Sequence, residues 1–223
     1  GGGVDYRAFE RFHALMGESS HTTLEATLLT RTLPLVPGLV DRLEAGIDVL
    51  DMGCGVGVAI RMMAGPFPLS RFVGVDIAAE AIATARAEAE AANLTNARFQ
   101  AQDAATFSAP AAFDFITAFD AVHDQAAPRR VLRAIHEALR PGGVFLMVDI
   151  AASTRLEGNL DNPLAPFLFT VSTMHCMTVS LAQGGEGVGA CWGEEKAREL
   201  LHEQADVIAG RQRQLLQDSV DVT

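Results

Sequence analysis

The spacing of apolar positions changes near residue 47. Before it, Phe9, Phe12, Leu15 and Met16 recur at helical intervals, and Gly17 with Ser19-Ser20 punctuates them. Leu24, Leu28 and Leu29 open a second apolar face, which Pro34 and Pro37 end or kink. From Ile47 onward, short apolar runs alternate with longer amphipathic ones. Ile47–Leu50 ends at Asp51, Arg71–Val75 ends at Asp76, and Ala97–Ala101 precedes Asp103. Phe113–Phe119 and Val144–Val148 complete a set of five predicted strands. Three helices are predicted between them. They are Val58 to Ala64; Ala78–Ala92, with Ile82, Ala85 and Ala89 on one face and Asn93 as its stop; and Arg129–Arg140, with Val131, Leu132, Ile135, Ala138 and Leu139 inward. Pro141-Gly-Gly143 stops the last of these. Near-continuous apolar strands alternating with helices predict a doubly wound, mostly parallel α/β sheet. Beyond Asp149 come a helix-like apolar stretch, Leu164–Leu181, a glycine-rich tail, Gly184–Gly189, and a helix over Glu194–His202. Residues 1–46 then form an N-terminal helical cap and 47–150 the α/β core. Residues 151–223 form a helical insertion and the C-terminal part of the same domain, where Val207-Ile208 and Val220–Val222 are the only strand-like fragments.

Composition narrows the function. The 223 residues carry 17 Lys plus Arg against 28 Asp plus Glu, a net charge of −11, with no run of basic residues. A nucleic-acid binder working through a basic surface is disfavoured. Apolar runs such as Val144–Ile150 stop short of the roughly 18 residues a membrane span needs, so no membrane partner is expected. Three cysteines, Cys54, Cys176 and Cys191, lack metal-type spacing and fit a reducing, cytoplasmic setting.

Chemistry concentrates at the strand ends. Gly53-Cys-Gly-Val-Gly57 follows the first strand and precedes a helix, so bare backbone and helix-start N–H groups face any ligand there. Asp76 ends the second strand, where it can accept from ribose hydroxyls; Asp103 follows the third, where it can accept from an adenine amino group. An adenosine-containing ligand follows. The dinucleotide fingerprint fails, because Val58 stands where a third Gly or Ala belongs, and no phosphate-loop Lys-Ser/Thr is present. A nicotinamide oxidoreductase is therefore the weakest reading.

These residues resemble a known family. Val49-Leu-Asp-Met-Gly-Cys-Gly-Val-Gly57, Phe72-Val-Gly-Val-Asp76, Gln102-Asp-Ala104, Phe113-Asp-Phe-Ile-Thr-Ala-Phe119 and Leu139-Arg-Pro-Gly-Gly143 are similar, in order, to the motifs of class I S-adenosylmethionine-dependent methyltransferases. The resemblance implies S-adenosyl-L-methionine as cofactor. Gly53, Gly55 and Gly57 would flank its methionyl part, Asp76 the ribose and Asp103 the adenine, with Cys54, Ile77, Ala104 and Phe119 beside them. It leaves Asp51 either as a water-mediated ligand of the methionyl amino group or as a residue orienting the loop. A narrower resemblance rests on Phe119-Asp-Ala-Val-His-Asp-Gln125, Met174 to Gly185 and Trp192-Gly-Glu-Glu-Lys196. It points to a bacterial subgroup whose members usually carry a winged helix ahead of this domain and a closing strand pair after it, neither of which is expected here.

The expected reaction is methyl transfer to a small-molecule acceptor; the alternative is a non-catalytic, S-adenosylmethionine-binding regulatory module. His123, just beyond the fourth strand, is the candidate catalytic residue, either as a base or as a shaper of the pocket. His175-Cys176 is core packing or a pocket wall, and Phe12, His13 and Met16 pack or cap the cofactor. Asp120 and Asp149 stand near the positions where some O-methyltransferases hold Mg²⁺, but Ile150 replaces their amide, so no metal is expected. No Asn/Asp-Pro-Pro-aromatic motif follows the fourth strand, which disfavours a flipped base or an amide nitrogen as acceptor. A homodimer is compatible with the sequence.

Overall fold

The computed structural model describes residues 2–9 and 11–208. The side chains of Phe12, His13 and Met16, and the stretch Val220–Val222, lie outside what is described.

Five strands, β1 (Asp48–Met52), β2 (Arg71–Asp76), β3 (Ala97–Ala101), β4 (Phe113–Phe119) and β5 (Leu139–Val148), form one sheet in the order β3-β2-β1-β4-β5. Every pairing is parallel. Each connection carries a crossover, so the helices fall on both faces. On one face lie α1 (Phe12–Thr27), α2 (Leu39–Ala45), α3 (Val58–Ala64) and α4 (Ala79–Ala91). Leu28, Leu33, Leu39 and Leu43 share one core with Ile60, Ile82, Phe72 and Phe115. The N-terminal helices are thus part of the main core. The other face is covered by α5 (Pro128–Ala138) and α8 (Gly193–Ile208), whose Val131, Leu132, Ile135, Ala197 and Leu200 meet Leu50, Ile116 and Phe145. This is the expected Rossmann-like layout.

Three elements depart from the sequence reading. Strand β5 begins at Leu139, not Val144: Leu139 pairs with Phe113, the chain bulges, and pairing resumes at Val144 with Phe115. A bulge absorbs Pro141, which cannot donate to a ladder. Val207-Ile208 are helical, continuing α8. Among the described residues one helix, Ala165–Ala182, is long and apolar enough to cross a membrane by length and composition, with a mean hydropathy of 1.3. Scattered Thr, Ser and His residues hide this from a search for unbroken apolar runs. It comprises α6 (Ala165–Val171), a π-helical turn (Ser172–Cys176) and α7 (Met177–Ala182). Its buried positions, Ser172, His175, Cys176, Val179 and Ser180, face the rest of the fold.

The two ends of the sheet differ in charge chemistry. At the strand starts, Asp48 binds Arg71 through both oxygens at 2.6 and 2.7 Å, and Arg140 joins Asp48 to Asp114. These carboxylates are neutralised. The strand C-termini carry Asp51, Asp76, Asp120 and Asp149 with no arginine among their hydrogen-bond partners, and the site lies there.

Candidate active site

The strand order reverses between β1 and β4, and the crevice beyond their carboxyl ends is the binding place of open α/β sheets. The glycine bend lines it. Gly53 and Cys54 donate their N–H groups to the Val75 carbonyl at 2.8 and 3.0 Å, pinning the bend onto β2. Gly55 has φ +52°, and a Cβ built on it would meet nothing within 4 Å. Its backbone therefore faces open space. A Cβ on Gly53 would instead lie 2.5 Å from the Ala121 side chain, so the bend touches the segment that follows β4.

Asp76 holds this loop. Its two oxygens accept from the N–H groups of Gly55 and Ala78, each at 2.9 Å. Asp103 accepts from the Ala105 N–H at 2.8 Å and caps a single turn, Ala104–Thr106. Register pairs Asp76 with Ala101, placing both carboxylates at the same end of neighbouring strands. Ile77 is exposed at the rim, Ala104 is buried, and Phe119 is half-buried against the core. Cys54 is buried and its thiol is pushed well up by burial and by the charges of Asp51 and Asp76, which suits a packing role. Asp51 is buried and accepts from the Thr117 hydroxyl at 2.8 Å. Burial drives its carboxyl up to about 7, Thr117 opposing and Asp76 assisting.

His123 lies in a carboxylate cage. Its Nδ1 is 2.8 Å from Asp149 Oδ1, and its Nε2 is 3.1 Å from Asp124 Oδ1, within ion-pair distance but outside hydrogen-bond alignment. Asp120 Oδ1 is 3.7 Å from Nδ1. Burial opposes the imidazolium, but Asp124 and Asp149 together win and raise its pKa well above the usual value. Asp124 is correspondingly held low, against its own burial, by His123. Asp120 is pushed to about 6, chiefly by burial. Its backbone sits at φ +52°, a left-handed conformation that aspartate tolerates better than most residues. Asp120 Oδ1 and Asp149 Oδ2 are buried with no hydrogen-bond donor. Two donor sets, Asp120–His123–Asp149 and His123–Asp124–Cys176, are tight enough to hold a metal ion, their ligand atoms lying within 4.8 Å of one another. Both need a neutral imidazole, while the surrounding carboxylates favour its protonated form.

Two further residues escaped the sequence reading. Thr117 lies inside the fourth-strand motif, but nothing in that motif marks it as the partner of Asp51. Tyr6, the single tyrosine of the chain, lies on the segment ahead of α1, where Val4 donates to the Thr178 carbonyl. Its phenol is raised by burial and then by the charges of Asp76, Asp124 and Cys176. Tyr6 and Phe9 meet the ring of His175 edge-on, at centroid distances of 5.7 and 4.6 Å. His175 thus joins the N-terminal segment to the long helix.

A switch-point crevice with a bare glycine bend and acidic strand ends defines a nucleoside-binding α/β protein. A profile of the methyltransferase-domain family matches residues 43–205, and the chain belongs to that family. Among curated relatives, a ubiquinone biosynthesis O-methyltransferase of Nitrosospira multiformis is 30% identical over 143 residues, 63% of this chain and 59% of that protein. A trans-aconitate 2-methyltransferase of Variovorax paradoxus is 36% identical over 44% of this chain and 36% of its own length. The chain thus spans three fifths or less of these relatives. Among solved structures, the YcgJ protein of Bacillus subtilis superposes with a TM-score of 0.55 at 23% identity, covering 72% of this chain and 62% of that one. A phosphoethanolamine N-methyltransferase of Haemonchus contortus, in complex with S-adenosyl-L-methionine, gives 0.51 at 21%, covering 72% and 33%. These two likenesses concern the fold.

Proposed function

We propose that the chain transfers a methyl group from S-adenosyl-L-methionine to a small-molecule acceptor. The observation that carries this is the Gly55 backbone, held by Asp76 at the switch point of the sheet, facing open space. The cofactor fits the residues present: Asp76 and Asp103 offer acceptor oxygens for ribose and adenine, with Ile77 and Ala104 beside the base. Gly55, with Cys54 and Phe119 beside it, leaves room for the methionyl part, whereas a Cβ at Gly53 would meet Ala121 and one at Gly57 would meet Phe99 and Ala85, so packing requires those two glycines; buried Asp51 offers a carboxylate to its ammonium. When bound, S-adenosylmethionine supplies a sulfonium methyl open to in-line displacement. The protein's part is to orient the acceptor and exclude water. Of the two roles open to His123, we take that of a positioning residue: a caged imidazolium orients Asp124 and Asp149 and is a poor proton acceptor.

The test is calorimetric titration with S-adenosylmethionine, followed by assay of S-adenosylhomocysteine release in the presence of cell extract. Absence of binding removes the reading. Binding without release leaves the regulatory module. We further place the protein in the cytoplasm, which the three free cysteines favour. We also take it as a homodimer, for which exposed Leu156, Leu160, Leu164 and Phe167 offer an apolar surface. Light scattering tests the dimer, a monomeric mass refuting it.

A further inference from the structure

The charge balance of the cage points to the kind of acceptor atom. Three carboxylates, Asp120, Asp124 and Asp149, surround His123, and His175 also acts on Asp124, so even with both imidazoles protonated the ionised cluster carries a negative charge in excess. Asp149 is buried, its Oδ1 already accepting from His123 Nδ1 and from the Ile150 N–H at 2.7 Å, while its Oδ2 has no donor. Asp120 Oδ1 is also buried without a donor, while Asp124 pairs with His123 and lies close to the Cys176 thiol. Unpartnered buried carboxylate oxygens are costly unless a cation or donor arrives. The charges acting on Asp120 come from His123, Asp149 and Asp124, with no lysine or arginine among them. The cluster borders the glycine bend, since Gly53 abuts Ala121, the neighbour of Asp120 in the chain.

Methyl transfer moves charge. An oxyanion acceptor meets the sulfonium and both charges vanish, so an anionic surround opposes bringing that acceptor in. A neutral amine ends as an ammonium: its charge appears at the acceptor atom, where carboxylates stabilise it. We propose that the acceptor of this chain is an amine nitrogen, and that Asp120, Asp124 and Asp149 select it by holding the positive charge it acquires. This rests on the methyl-transfer reading above. The nitrogen lone pair attacks the methyl carbon, and the carbon–sulfur bond breaks with its electrons kept by sulfur. The products are S-adenosylhomocysteine and a methylated ammonium, which loses a proton to Asp120 or water if the amine was primary or secondary.

The full chain is saturated with S-adenosylhomocysteine at pH 8 in EDTA and titrated with phenyltrimethylammonium, benzyl alcohol and benzoate. The cation is expected to bind at least tenfold tighter than the other two. Asp120→Asn and Asp124→Asn, isosteric and checked by thermal melting, are each expected to weaken it about tenfold while leaving S-adenosylhomocysteine affinity unchanged. Equal or tighter binding of benzoate or benzyl alcohol, no binding of the cation, or no effect of either substitution overturns the proposal. So does displacement of the cation by Mg²⁺ or Zn²⁺ when EDTA is omitted, which would give the carboxylates to a metal. Failure of S-adenosylhomocysteine itself to bind falls instead on the methyl-transfer reading.

Discussion

Gly55 and Gly53 are two residues apart in one bend, both with positive φ, and differ only in what surrounds them. A methyl group at Gly55 enters open space, so Gly55→Ala carries only left-handed backbone strain of about 1 kcal/mol, yet it intrudes where the methionyl part would lie. The variant should melt within a few degrees of the parent and bind S-adenosylmethionine at least tenfold more weakly, as calorimetry would show. Gly53→Ala drives its methyl into Ala121 and should fail to give a cooperative melt. Asp51 shows its role through pH. Its carboxyl rises from an ordinary 3.8 to about 7 on folding, chiefly through burial. The folded state thus favours the protonated form: this contribution is full below pH 4 and is lost as pH rises toward 7. Relative to Asp51→Asn, the parent should lose up to about 4 kcal/mol of stability across that interval, followed by denaturant unfolding at each pH. A difference that stays flat from pH 4 to 7 would show Asp51 to be ordinarily acidic.

At the scale of elements, the His123–Asp149 pair ties the loop after β4 to the end of β5, with both side chains almost fully buried. Removing one partner strands the other charge, so Asp149→Ala should cost about 3–5 kcal/mol, seen as a large fall in melting temperature. The N-terminal helices answer to packing instead. Leu33 is fully buried beside the sheet, and Leu33→Ala should cost about 2–5 kcal/mol. These elements mark how far the sequence was legible. Three strands stood out because an apolar run ended just before an acidic residue, Leu50 before Asp51, Val75 before Asp76 and Val148 before Asp149; β4 was legible from its aromatic and β-branched residues, and β3, with Arg98 and Gln100 in it, was the weakest. The glycine bend was legible because its three glycines punctuate a strand-to-helix turn. The start of β5 was not, since Arg140-Pro-Gly-Gly143 reads as a stop although it bulges out of a continuing strand. The cage could be only half read. His123 and Asp124 adjoin in sequence, but Asp149 joins them through the β4–β5 pairing, which brings Phe119 level with Val148. That embrace turns a histidine of apparently ordinary basicity into a held imidazolium.

The whole molecule places its N-terminal segment where local pattern could not. Val4 to Phe9 crosses the long helix: the Val4 N–H meets the Thr178 carbonyl at 3.1 Å and its hydroxyl at 2.8 Å, and the rings of Tyr6 and Phe9 close on His175. No periodicity links residues so far apart in the chain. The Tyr6 phenol is held up first by burial and then by the charges of Asp76 and Asp124. The Val4 to Phe9 strap makes few contacts with the sheet, whose core is closed by Leu24 to Leu43 and by α8. Removing residues 1–9 should therefore leave the sheet folded, with its cooperative melt lowered by only a few degrees. The long helix should lose its ring contacts, so its amides from Ser172 to Ala182 should exchange with deuterium faster while those of β1 and β4 stay protected. If the strap also covers the crevice, S-adenosylhomocysteine should dissociate several-fold faster from the shortened chain, as stopped-flow displacement would record. Faster exchange with an unchanged off-rate would make the strap a brace for the helix alone. Loss of protection in β1 and β4 as well would show that these residues hold up the sheet itself.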